Sequence, residues 1–269
     1  TDEKTGIMYR KWEAPSSKAV FLLVHGLGAH SARWEFLAEM FLFHSVTSYA
    51  IELRGCGETP DLQGHIDSFD IYYDDIDSLL RIIVRENPGK KIFLVGESLG
   101  GLIAYIAALK KPDLFAGLIA LSPAFSTRFK LNILDYFRFL FPLLYNPKKQ
   151  HKMPFTSNMC TRDTTYETVM DADHREHRLA TSKFIINLLL AQRQAKSLKD
   201  RKDMHILFLL SGDDQLVNPE ISKMIFEKLT AGDKTIIQYP DMRHALSVEL
   251  GKEKVAQDIL KWLEGEITS

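Results

Sequence analysis

Short, continuously apolar runs alternate along this chain with longer stretches whose apolar residues recur every three or four positions. Runs of the first kind predict strands at Ile7 to Trp12, Ala19 to Val24, Ser48 to Leu53, Lys91 to Val95, Leu118 to Leu121, Ile206 to Leu210 and Thr235 to Tyr239. The second kind predicts helices. One carries Trp34, Leu37, Ala38 and Phe41 on one face, and one over 69–85 has Ile76, Leu79, Leu80 and Ile83 as its buried stripe. Others follow over 102–109 and 219–229, and a last one presents Val255, Ile259, Trp262 and Leu263. Asn87-Pro88-Gly89 supplies the stop signal for the second helix. Strands without polar alternation are buried on both faces, so the pattern predicts an α/β domain with a mostly parallel central sheet and helices on both sides.

The rhythm breaks between Ser122 and Lys202, where aromatic residues, Met and charge are abundant and no clear buried strand is visible. The expectation is a helical cap over 123–202, inserted into a core made of 1–122 and 203–269, and holding substrate specificity. Within it, Leu131 to Tyr145 has apolar residues at helical spacing, with Pro142 expected to kink or end the helix. Phe125, Leu134, Phe137 and Phe141 are the candidate substrate-pocket residues. Lys148, Lys149 and Lys152 follow, and a basic cluster beside an apolar helix also fits peripheral contact with an anionic membrane surface. A cap helix that buries one face and lines an acyl pocket with another is the commoner arrangement.

The chemistry concentrates at Gly96-Glu97-Ser98-Leu99-Gly100, a G-x-S-x-G run between a predicted strand and a predicted helix. That setting makes a nucleophile elbow, with the serine hydroxyl lifted above the sheet at a helix N-terminus. A serine hydroxyl is a poor nucleophile until a base takes its proton, and the base needs an orienting carboxylate. Of the nine histidines, His244 alone follows the last predicted strand and precedes the last helix. Asp213 and Asp214, after the strand ending at Leu210, compete for the acid role. Loops at the C-terminal ends of strands are where ligands meet an open α/β sheet, so the three placements converge. A tetrahedral intermediate also needs two N–H donors. Leu99, after the nucleophile, and Leu27, in His25-Gly26-Leu27-Gly28, are the candidates. Glu97 is expected to point away from the hydroxyl as a supporting polar contact.

Composition narrows the partners. The chain has 34 basic and 35 acidic side chains, which leaves no electrostatic footprint for nucleic acid. Two cysteines, Cys56 and Cys160, without a C-x-x-C pair, make neither a disulfide framework nor a zinc or redox motif. Thr1-Asp2-Glu3-Lys4 shows no secretory n-region, and no apolar run is long enough to span a bilayer. A cytoplasmic protein, at most peripheral at a membrane surface, is expected. Asp171, Asp173, His174, Glu176 and His177 are rich in potential metal ligands. Their spacing is not H-E-x-x-H, and the interleaved Arg175 and Arg178 predict a solvated, charge-paired helix instead, with no metal.

With these residues in place, the chain resembles the monoacylglycerol lipase and lysophospholipase branch of the α/β-hydrolases. His25-Gly26-Leu27-Gly28-Ala29-His30-Ser31-Ala32-Arg33-Trp34 is similar to that branch's H-G-x-G-E-H-S-x-R-Y segment, and Arg54-Gly55-Cys56-Gly57-Glu58-Thr59 to its R-G-H-G-x-S turn. Gly64 to Asp70, Asp74-Asp75 and Thr161-Arg162-Asp163 also resemble segments of these enzymes. The resemblance implies the α/β-hydrolase fold and hydrolysis of a carboxylic ester, often of a single-chain lipid, without metal or organic cofactor. It also implies Asp214 as the acid, because these enzymes show a D-x-x-V pattern that Asp214 and Val217 match. Cys56 stands in place of the family's usual histidine, Thr59 of its serine and Ala29 of its glutamate, and Asp173-His174 falls where Asp-Pro is frequent. These departures bear on the substrate rather than the reaction type. Acyl transfer or peptide hydrolysis on the same triad, or a non-hydrolytic receptor on this fold, are the alternatives.

Overall fold

The computed structural model describes residues 6–128, 133–199 and 203–268; Thr1 to Lys4, Leu131 and the expected cap limit at 202 lie outside them. Seven strands form one sheet in the order β1-β3-β2-β4-β5-β8-β9. They are β1 Tyr9–Trp12, β2 Ala19–Val24, β3 Val46–Ile51, β4 Ile92–Glu97, β5 Gly117–Leu121, β8 His205–Ser211 and β9 Asp233–Tyr239. β1 is antiparallel to β3 and the other neighbours are parallel. Every residue of β2, β3, β4 and β5 is buried, as a sheet covered on both faces requires.

Alternation along β2 divides the core in two. Val20, Leu22 and Val24 join one apolar cluster with Ile76, Leu79 and Ile83 of α2 (Asp70–Glu86) and with Leu102 and Ile106 of α3 (Leu99–Lys110). Ala19, Phe21 and Leu23 face the other way, toward Leu37, Ala38 and Phe41 of α1 (Glu35–Phe43) and Val255, Ile259 and Leu263 of α9 (Lys252–Thr268), the helix after α8 (Pro219–Lys228). The connection through α1 returns the chain to one side of β2, whereas α3 carries it to the far side of β4. The adjacent C-terminal ends of β2 and β4 are therefore a topological switch point, where a crevice opens above the sheet.

Between β5 and β8 the chain forms α4 (Ile133–Leu140), α5 (Ser157–Cys160), α6 (Thr164–Ala172) and α7 (Ser182–Ala195). It also forms two strands, β6 (Gln150–Lys152) and β7 (Leu179–Thr181), where no strand was expected; three residues are too few to leave a readable period. This insertion reaches the loops at the C-terminal edge of the sheet. His177 N–H donates to Gly28 O at 3.0 Å, Thr181 N–H to Gly64 O at 2.8 Å, and Gln192 Nε2 to Ala124 O at 2.9 Å. Ala245 N–H in turn donates to Cys160 O at 2.8 Å. Gly28 has φ +71°, and a Cβ there would lie 1.9 Å from His177 O, so this contact needs glycine on both counts.

Among the boundaries that differ from expectation, those of β3 and the start of α3 have a visible cause. β3 starts at Val46 rather than Ser48 because Ala19 of β2 pairs with Val46, and it ends at Ile51, after which Leu53 N–H is bound by the His25 ring. α3 starts at Leu99, directly after Ser98, and its first turn sits on the backbone of β2. A Cβ on Gly100 would approach Val24 O to 2.0 Å, so Gly100→Ala is expected to destabilise the protein by about 2–3 kcal/mol in urea unfolding.

Candidate active site

Ser98 sits between β4 and α3 with φ 56° and ψ −118°, a conformation that a non-glycine residue adopts only when its surroundings impose it. Three backbone hydrogen bonds do so. Ser98 N–H donates to Leu121 O at 2.9 Å, while Ser98 O accepts from Leu102 N–H at 3.0 Å and Ala124 N–H at 2.9 Å. The first extends the β4–β5 ladder, the second starts the helix, and the third ties the turn to the chain leaving β5.

The structure brings Ser98, His244 and Asp214 together across sequence separations of 146 and 30 residues. Ser98 Oγ lies 2.7 Å from His244 Nε2, and His244 Nδ1 lies 2.8 Å from Asp214 Oδ2. Asp214 is fully buried, and its Oδ1 accepts from Leu216 and Val217 N–H, both at 2.9 Å. This turn is the physical content of the D-x-x-V spacing: the third residue supplies a backbone donor that fixes the carboxylate. Asp213, the competing acid, is exposed and faces Arg243 at 3.8 Å. Burial by itself would push the His244 imidazole down, but the Asp214 carboxylate, together with Glu97, leaves it above its ordinary value.

His25 organises the loop after β2. Its Nε2 accepts from Leu53 N–H at 3.1 Å, so Nδ1 carries the ring proton and donates to Gly26 O at 2.8 Å. Complete burial pushes this imidazole down to about 3, so the ring stays neutral. With the Gly26 carbonyl held by the ring, the Leu27 N–H is on the opposite side of the same planar peptide. Leu99 N–H belongs to the first turn of α3, where N–H groups have no intrahelical acceptor. Leu27 and Leu99 both line a cavity of about 290 Å³ that also contains Ser98 and His244.

That cavity is walled largely by apolar side chains, among them Met153, Phe184, Leu188, Leu216 and Val217. Arg33 and Glu176 supply charge within it, and the guanidinium donates to the carboxylate through Nε at 3.2 Å and through Nη2. The four expected pocket residues are elsewhere. Phe125 is fully buried in the core against Tyr105 and Phe208, with ring centroids 4.8 and 5.9 Å away. It follows β5 so closely that the chain is still inside the α3 layer. Leu134, Phe137 and Phe141 are 73%, 62% and 55% exposed, because α4 turns Phe139 and Leu140 toward the protein instead. A helix apolar on more than one side does not reveal by its period which side faces the protein.

The segment Asp171 to Arg178 is charge-paired as expected, but beyond Ala172 it is not a helix, and it is not solvated throughout, since His177 is buried. α6 ends at Ala172, Asp163 caps its start, and the chain then turns. Arg175 grips Asp173 through Nε and Nη2, Arg178 pairs with Asp171, and His177 Nε2 lies 2.9 Å from Gly55 O. The family departures are accommodated locally. Cys56 is buried, its thiol pushed up to about 12, and Thr59 Oγ1 donates to Cys56 O at 2.9 Å while accepting from Gly55 N–H.

Two buried carboxylates brace the His244 loop. Glu97 accepts from Ser247 N–H at 2.9 Å and from its hydroxyl at 2.7 Å. Glu249, fully buried, accepts from Leu250 N–H at 2.7 Å, Arg243 N–H at 2.9 Å and Arg162 N–H at 3.1 Å, and from Arg162 Nε at 3.3 Å. Sequence reasoning missed Glu249; its only signal was an acidic residue soon after the candidate histidine.

The comparisons agree with this architecture. Residues 15–251 match a hydrolase family described as "Serine aminopeptidase, S33". Human monoglyceride lipase is 26% identical over 264 residues, covering 94% of this chain and 85% of the relative. Phospholipase YtpA of Bacillus subtilis is 25% identical over 252 residues, covering 91% and 94%. The solved monoacylglycerol lipase of Paleococcus ferrophilus superposes with a TM-score of 0.84 at 26% identity, covering 97% of this chain and 99% of that one. The fold is that of the α/β-hydrolases, and the chain belongs to this serine hydrolase family.

Both oxygens of Glu249 face N–H donors, and a carboxamide cannot accept through its NH2 group. Glu249→Gln is therefore expected to lower stability by about 2 kcal/mol, measured by urea unfolding.

Proposed function

We propose that this protein is a serine hydrolase cleaving carboxylic esters of single-chain lipids, with monoacylglycerols first and lysophospholipids next as substrates. The observation that carries the reading is the Ser98–His244–Asp214 relay, at 2.7 and 2.8 Å, opening into an apolar-walled cavity. The relatives named monoglyceride lipase and phospholipase support the substrate class.

In this reading His244 Nε2 takes the Ser98 proton as Oγ attacks the ester carbonyl carbon. Asp214 holds Nδ1–H and stabilises the imidazolium, and the N–H groups of Leu27 and Leu99 receive the oxyanion. Collapse expels the alcohol, which leaves with the proton from His244. Water then gives a proton to His244, attacks the acyl carbon and releases the carboxylate, returning the proton to Ser98. The insertion covers the cavity and acts as the cap that selects the acyl chain. Wild type should react with a fluorophosphonate probe, and Ser98→Ala should lose both labelling and at least about 10⁴-fold in turnover of p-nitrophenyl esters. Equal labelling of the variant overturns the reading. Products formed with competing alcohols, and an aminopeptidase substrate panel, separate hydrolysis from acyl transfer and peptide cleavage.

The insertion also supports peripheral docking on an anionic lipid surface. Ile133, Leu134, Phe137, Phe141, Leu144 and Tyr145 are exposed, and Lys148 and Lys149 lie exposed beside them. Among the described residues no helix is long and apolar enough to cross a membrane. Apolar side chains next to cations suit insertion at the headgroup boundary. Phe137→Ser combined with Phe141→Ser should weaken co-sedimentation with phosphatidylserine vesicles by about tenfold while hydrolysis of a short soluble ester is retained. Unchanged sedimentation refutes the docking.

A further inference from the structure

Glu97 stands where the sheet calls for an apolar residue. Side chains alternate along a strand, and Val95, two residues earlier on β4, belongs to the cluster packed under α1 and α9. Leu246 of the histidine loop is in that same cluster. Glu97 is nevertheless a carboxylate, 4% exposed, and both its hydrogen bonds come from neutral groups of Ser247, a fully buried residue. Ser247 lies three positions after His244 in a loop compacted by Leu246 N–H to His244 O and Val248 N–H to Ala245 O, at 3.2 and 3.1 Å. A strap thus runs from the residue before the nucleophile to the loop that carries the base.

We propose that Glu97 is a positioning residue for His244, fixing the loop through Ser247 and favouring the imidazolium with its negative charge. The proposal rests on the reading of Ser98 as nucleophile and His244 as base. Burial raises the Glu97 carboxyl above its ordinary value, and the Ser247 donors oppose that rise. The charged groups that act on His244 are Asp214 and Glu97, which favour the imidazolium, and Arg33, which disfavours it and is itself paired with Glu176 from the insertion. Arg33 and His244 also act on Glu97, and the Glu97 charge in turn raises the pKa of Cys160 and Tyr166. Burial costs such a carboxylate free energy, which an apolar residue at the end of β4 would avoid.

Only the neutral imidazole accepts the Ser98 proton, so kcat/KM falls as pH drops through the His244 pKa. Glu97→Gln keeps an acceptor and a donor for Ser247 but removes the charge. It should move the acid limb of kcat/KM to lower pH and reduce kcat about tenfold, with KM for a short p-nitrophenyl ester little changed. Ser247→Ala keeps the charge and weakens the strap; it should reduce kcat with a smaller movement of the limb. An acid limb and kcat for Glu97→Gln equal to wild type overturn the proposal, as does wild-type kcat in Ser247→Ala. Thermal unfolding and fluorophosphonate labelling of each variant show that it is folded. Ser98→Ala assayed alongside separates the two ideas: an active Ser98→Ala removes the underlying reading, whereas an inactive one with wild-type behaviour of Glu97→Gln removes this inference alone.

Discussion

The positive-φ turn at Ser98 is the constraint on which the rest of the structure depends. A serine placed there is strained by about 1–3 kcal/mol, and it persists because a strand, a helix and the chain leaving β5 each hold it by a backbone hydrogen bond. Gly100 lets the helix start tight against β2, which brings the loop after β2 beside the serine. The strain and the close approach have one consequence: the Ser98 hydroxyl, neighbouring N–H groups and crevice share the switch point between β2 and β4.

Around that fixed point the histidine loop is held from three directions. Asp214 fixes the ring, Glu97 fixes Ser247, and Glu249 binds Arg243, Leu250 and the insertion's Arg162. Two of these carboxylates are fully buried and the third nearly so, and each is matched to N–H or O–H donors. Buried carboxylates without such donors would be strongly destabilising, so this loop is specified more sharply than apolar packing would achieve. The insertion is part of the same arrangement, since Cys160 O and Arg162 contact the loop directly.

The insertion divides its apolar residues between two surfaces. Met153, Phe184 and Leu188 wall the cavity, while Leu134, Phe137 and Phe141 face outward. The ion pair of Arg33 and Glu176 joins the core's short 3-10 turn Ser31–Trp34 to the insertion inside the cavity. Ala29 lies in the same wall, which also includes Arg33 and Glu97 of the core and Glu176 of the insertion.

The residues alone determined the sheet and its covering helices. Ala19 to Val24 and the stripe of Ile76, Leu79, Leu80 and Ile83 are periodic signals that burial on one or two faces imposes directly. They also determined the candidates Ser98, Asp214 and His244, because a strand–turn–helix G-x-S-x-G and two late loops carry them in local patterns. Tertiary structure alone decided which insertion residues meet the cavity, since α4 is apolar on more than one side and its orientation depends on what it packs against. It also decided the partners of Glu97 and Glu249. A carboxylate is paired by donors 150 or 87 positions away, and no local period records a contact between such distant residues.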